Sequence, residues 1–133
     1  MNGLMKSKTL QISIRCDPRK VFAFVSILEN LPRWATAFVQ SIKKLNGVWV
    51  AQTTQGPAKF KIAKKNSFGI LDHIVIPAPG VEVYVPMRVV ANGSESEVIF
   101  TLFQGPGMSS RQFAHDQKLV KKDLATLKRV LET

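Results

Sequence analysis

Two histidines and a single cysteine restrict the side-chain chemistry open to this chain. His73 follows Asp72, and an imidazole that titrates near neutral pH beside an orienting carboxylate can do acid–base work. Adjacent residues on a strand point to opposite faces, so the two do not form a dyad with each other unless a bulge intervenes. One of them is expected to face the interior, where it needs a partner or a ligand. Arg88 can pair with an interior carboxylate or anchor an anionic head group. Pro86 precedes it by two residues and has no N–H for a ladder. The strand is therefore edge-like or bulged there, and Arg88 can turn inward. Tyr84 shares the phase of Arg88 if the strand is regular. His115 and Asp116 adjoin at the start of a helical pattern, where neighbours do not face each other.

Other chemistries lack their signatures. Two histidines and one cysteine make no metal-ligand cluster, and neither a metal nor a cofactor is expected. Gly105-Pro106-Gly107 lacks the spacing of a phosphate-binding loop, and there is no nucleophile-elbow pattern. Lys59-Phe60-Lys61-Ile62-Ala63-Lys64-Lys65 interleaves basic and apolar residues, as single-strand nucleic-acid binders do. On a strand Phe60 points away from the lysines, and no helix-turn-helix, RNP-type or zinc-finger pattern accompanies the run. The net charge of +10 can attract nucleic acid, anionic lipid or an acidic ligand, or simply keep a basic surface solvated. No nucleic-acid partner is expected.

The elements that position these residues follow from periodicity. Residues 9–15 alternate, with Leu10, Ile12 and Ile14 on one face of a strand. Asp17-Pro18 suits an N-cap and first helical position. Val21, Phe22, Val25 and Leu28 then form a helical stripe. Asn30-Leu31-Pro32 breaks that helix and starts a second short one carrying Trp34, Ala37 and Phe38. Strands are expected over 40–45, 48–54, 57–65, 68–76, 81–91 and 95–104, and the short turns between them favour antiparallel neighbours. Ser109 and Gln112 make a capping-box pattern. Phe113, Val120, Leu124, Leu127 and Leu131 give the last helix an apolar stripe, opposite Lys118, Lys121, Lys122, Lys128 and Arg129. A sheet with one apolar face needs a cover, and this helix has the matching stripe. Ala58, Phe60 and Ile62, then Val83, Val85, Met87 and Val89, then Val98, Phe100 and Leu102 should face it. Those side chains either close a solid core or leave a pocket.

With 133 residues the chain is the size of one domain, over 8–133, with residues 1–7 expected to be disordered. One cysteine forms no intramolecular disulfide. Met1 to Lys8 is polar and basic, so no secretory signal is expected. No apolar stretch approaches the ~20 residues of a membrane span. A cytoplasmic monomer or homodimer is the resulting expectation.

The order strand, two helices, six strands, long helix resembles the helix-grip fold of the START-like, polyketide cyclase/dehydrase-like (SRPBCC) superfamily, which includes Bet v 1-like proteins. The likeness spans about residues 8–132. It rests on that order and on stretches similar to a bacterial branch. These are Asp17-Pro18-Arg19-Lys20-Val21-Phe22-Ala23-Phe24-Val25, Asn30-Leu31-Pro32-Arg33-Trp34, Gly69-Ile70-Leu71-Asp72-His73, Val85-Pro86-Met87-Arg88-Val89, residues 96–103 and Gly105-Pro106-Gly107-Met108-Ser109. The resemblance implies an α+β fold: a curved antiparallel sheet of about seven strands, two short N-terminal helices and a long C-terminal helix. It implies a deep cavity between sheet and helix that binds a hydrophobic or amphipathic small molecule; the alternative is a cyclase- or hydratase-type reaction in that cavity. The cavity candidates are Trp34, Phe38, Trp49, Phe60, Ile62, Asp72, His73, Val85, Met87, Arg88, Phe100, Phe113 and Val120. A basic protein that associates with nucleic acid or anionic membrane is the third reading.

Overall fold

Alternating residues Leu10, Ile12 and Ile14 place β1 (Ser7–Ile14) with one face inward, and Ile14 is fully buried. These and the following details come from a computed structural model that describes residues 3–133. The expected disorder of residues 1 and 2 lies outside the described residues, whereas Ser7 pairs with Phe103 as part of β1. After β1 come α1 (Pro18–Ser26), a 3-10 turn (Leu28–Asn30), α2 (Leu31–Trp34), β2 (Val39–Leu45), β3 (Val48–Thr53), β4 (Gly56–Ile62), β5 (His73–Ala78), β6 (Val81–Val85), β7 (Met87–Asn92), β8 (Glu95–Phe103) and α3 (Ser110–Leu131). Among the described residues no helix is long and apolar enough to cross a membrane.

The helix starts form where the side chains allow. Asp17 accepts the Arg19 backbone N–H at 2.8 Å, and Pro18 opens α1. Hydrogen bonds from Arg19 hold the Asp17 carboxyl down at about 2. Ser109 accepts the Gln112 N–H at 3.0 Å, but the Gln112 amide turns to Asp116 Oδ1 at 2.7 Å, so only half of the capping box forms. The second helix ends earlier than its sequence pattern suggests, at Trp34. Ala37 and Phe38 lie in the turns that follow, so both line the approach to β2.

Every strand pairing is antiparallel. The order is β1-β8-β7 in one sheet and β2-β3-β4-β5-β6 in the other. The two sheets join at Pro86, where the expected single strand 81–91 breaks into β6 and β7; this is why there are eight strands among the described residues rather than about seven. The Pro86 carbonyl accepts the Thr101 N–H at 3.0 Å. On the far side of β7, Leu71 N–H donates to Met87 O at 2.9 Å and Val89 N–H to Gly69 O at 3.0 Å. The segment preceding β5 thus continues the pairing past the break.

Two expected strand limits move. β4 stops at Ile62 rather than 65, and β5 starts at His73 rather than 68. The Asn66 side chain accepts the N–H groups of Phe68 and Ile70, which builds a turn where sequence alternation suggests a strand. Gly69 completes it at φ +74, and an added Cβ would sit 2.1 Å from Val89 O.

The core divides α3 into halves. Leu124 and Leu127 are buried with Ile14, Val21, Val25, Val98 and Leu71, so the C-terminal half is closely packed. Under the N-terminal half the packing opens.

Candidate functional site

That opening is a cavity of about 210 Å³ between the sheet and α3. Its walls come from α2 and the turn after it (Leu31, Trp34, Ala35, Phe38), from β4 and β5 (Ala58, Phe60, His73, Val75), from β6 and β8 (Val83, Val85, Phe100, Leu102) and from α3 (Leu119, Val120, Asp123). Exposed Gln55, Pro77 and Val83 mark its mouth. Strand alternation accounts for the floor, since Ala58 and Phe60 point inward while Lys59 and Lys61 point to solvent.

His73 is the polar group on that floor. Its ring stacks on Phe60 with centroids 6.4 Å apart and meets Phe100 edge-on at 5.8 Å. Nδ1 lies 3.1 Å from the Leu71 carbonyl oxygen. A carbonyl only accepts, so Nδ1 carries the proton and Nε2 presents a lone pair. Burial pushes the imidazole below its usual value and keeps it neutral, against a smaller opposing effect of the Leu71 hydrogen bond.

Asp123 is the second polar group, on the helix side. It is 6% exposed, and its Oδ1 accepts the Ala37 N–H at 2.7 Å. Burial pushes its carboxyl up to about 6, partly offset by that hydrogen bond. No cation pairs with it among the described residues. Trp34 is 3% exposed, and its indole N–H is the one buried side-chain polar atom without a hydrogen-bond partner among the described residues.

Of the sequence candidates, Trp34, Phe38, Phe60, His73, Val85, Phe100 and Val120 line this cavity. The other six do not. Trp49 sits farther along the β2–β3 hairpin, under the Lys44 ammonium at 5.6 Å from its ring. Ile62 faces a separate open groove of about 870 Å³ between α1 and the 63–69 loop, a solvent-facing trough rather than an enclosed site. Met87, 1% exposed, is packed into the core, and Phe113 is buried off the cavity wall.

Asp72 and Arg88 correct the sequence reading most. Both lie on the outer face, joined to each other. Asp72 Oδ1 accepts from Met87 N and Arg88 Nε, and Oδ2 from Tyr84 Oη and Arg88 Nη2, each at 2.9 Å. The bidentate Arg88 contact leads the effects that hold the Asp72 carboxyl at about 2. Pro86 breaks the strand without turning Arg88 inward. The break instead frees the Met87 N–H, which Asp72 takes up.

Asp123 escaped the sequence reading, although a signal was present. It falls at helical spacing between Val120 and Leu127, an acidic residue within the apolar stripe.

By sequence, no protein-family model and no curated protein matches the chain. By structure the likeness runs end to end. The protein XoxI from Bacillus cereus superposes with a TM-score of 0.77 at 18% identity, over 96% of each chain. The Aha1 dimer from Colwellia psychrerythraea gives 0.75 at 17% identity, over 96% of this chain and 97% of that one. A START superfamily protein from Mycobacterium smegmatis gives 0.67 at 15% identity, over 97% of this chain and 99% of that one. Among the described residues, eight antiparallel strands grip one long C-terminal helix, and with these structures as neighbours this gives the chain an α+β helix-grip fold, the fold of a START superfamily protein.

Proposed function

We propose that this protein binds one small, largely apolar molecule in the cavity under α3. The observation that carries the reading is a partly open space of about 210 Å³ with mostly apolar walls, in a chain whose remaining core is buried. Close packing is the ordinary state of interiors, so an opening of this size has a use or a cost. Size restricts the guest. An apolar cavity of ~150 Å³ accommodates benzene, and ligand sites for larger molecules run to ~300–1,000 Å³. A single ring with a short substituent, or a chain of comparable bulk, suits the space. Burial of guest surface drives affinity at ~25 cal/mol per Å², less the cost of ordering.

The other readings have less support. A reaction in the cavity needs at least two convergent polar groups. Asp72, Tyr84 and Arg88 form their own cluster outside; His73 and Asp123 are both in the wall, but each is bonded to backbone elsewhere and no hydrogen bond joins them. Binding of single strands through the 59–65 run needs an exposed aromatic, but Phe60 is 4% exposed and part of the cavity wall. We take the protein to act in the cytoplasm as a monomer or homodimer.

Titration with ethylbenzene, followed by amide NMR, tests the proposal. We expect saturable shifts centred on Ala58, Phe60, Phe100 and Val120, and their loss in Ala58→Phe, which fills the space. Shifts that do not saturate, or that scatter over the surface and persist in the filled variant, would overturn it.

A further inference from the structure

The charged groups in the cavity wall have one sign, opposite to that of the molecule. The chain carries 19 Lys+Arg and 9 Asp+Glu. None of the cations lines the cavity among the described residues, yet the acidic Asp116 and Asp123 both do. Asp123 has one backbone donor on Oδ1. Oδ2 makes no hydrogen bond among the described residues and is not fully buried, so it keeps accessible surface where Asp123 lines the cavity. Asp116 Oδ1 accepts from the amides of Gln112 at 2.7 Å and Gln55 at 3.3 Å near the mouth. His73 adds the Nε2 lone pair, because its only proton is committed to the Leu71 carbonyl. Unused capacity in this wall is therefore mostly acceptor capacity. The unpartnered Trp34 N–H is fully buried and is not offered to the cavity.

We infer that the cavity selects guests whose polar end donates hydrogen bonds, alcohols and amines on a small apolar body, and turns away carboxylates. The inference rests on the binding reading above and deepens it by naming the head group. A hydroxyl gives its proton to Asp123 or His73. An ammonium gives its protons to Asp123 and neutralises it. A carboxylate brings a second negative charge into a low-dielectric space beside Asp123, and like charges in such a space repel strongly. The basic exterior attracts anions, but the cavity refuses them once they arrive.

A matched series on one ring separates the possibilities: ethylbenzene, 2-phenylethanol, 2-phenylethylamine and phenylacetate, each titrated calorimetrically into the intact protein at pH 7.5. At that pH the Asp123 carboxyl is largely ionised. The alcohol and the amine should each bind at least about tenfold more tightly than phenylacetate, in either order. In Asp123→Asn, which keeps an oxygen for the Ala37 N–H, phenylacetate should gain most of that gap. Phenylacetate equal to or tighter than both donors, with ethylbenzene still binding, would overturn this inference and leave the cavity proposal standing. A gap that survives Asp123→Asn would also overturn it. Failure of all four, ethylbenzene included, would overturn the cavity proposal and this inference together.

Discussion

Two aspartates in this chain have opposite environments, and pH reads the difference. Asp72 accepts four hydrogen bonds on the outer face, and its carboxyl is held at about 2. Its folded value lies below its unfolded one of 3.8, so its stabilisation is present above about pH 4 and is lost as pH falls toward 2. Asp72→Ala should lower stability by about 1–3 kcal/mol at pH 7, chiefly because the Met87 N–H loses its acceptor; denaturant unfolding measures this. Arg88 is 45% exposed, so the ion pair itself contributes little. Asp123 behaves in the reverse sense. Burial raises its folded value from 3.8 to about 6, so the folded state holds the proton more tightly than the unfolded chain does. Asp123 therefore lowers stability progressively as pH rises from about 4 to 6. Asp123→Asn should be more stable relative to the parent at pH 8 than at pH 4, and Tm measured across that range checks the sign. Equal pH dependence of the two proteins would show that the carboxyl is not buried as described.

At the scale of elements, the loop before β5 and the two halves of α3 determine where the cavity lies. The 66–72 segment is held by Asn66, by Gly69 at φ +74 and by the two hydrogen bonds to β7. Gly69→Ala meets both a left-handed backbone and the Val89 carbonyl oxygen. It should cost more than ~2 kcal/mol, a loss visible as an earlier urea midpoint. The sequence pattern identifies helix starts well, because Asp17-Pro18 and Ser109 act through neighbours one to three residues away. The inward sets Ala58–Phe60, Val85–Met87–Val89 and Val98–Phe100 are equally legible, because strand alternation has a fixed period. The end of β4 and the late start of β5 are not. Asn66 organises that loop through its side chain, and alternation beyond Ile62 gives no hint of it. The direction of Arg88 is hidden for a related reason: Pro86 signals a break, but which face follows depends on Asp72 across the sheet.

At the scale of the whole molecule, the fold was within reach of the sequence through its element order, whereas the site was only half legible. Phe60, His73, Phe100 and Val120 are in the wall because their strand or helix phase puts them there. Asp123 went unread because an acidic residue on α3 looks like surface until the apolar stripe around it is noticed. The fold also makes a claim about empty space. Filling a solid core with a larger side chain costs ~1–3 kcal/mol, whereas filling a void adds contacts. Ala58→Phe should therefore keep or raise Tm while abolishing guest binding.

Xenon bound under pressure tests the claim of an open, mostly apolar cavity most directly, because the atom locates such space without head-group chemistry. Anomalous diffraction from a pressurised crystal should show one principal site among Phe60, Phe100 and Val120 in the parent and none there in Ala58→Phe. Side-chain density filling that position in the parent, with xenon absent from it, would contradict the account.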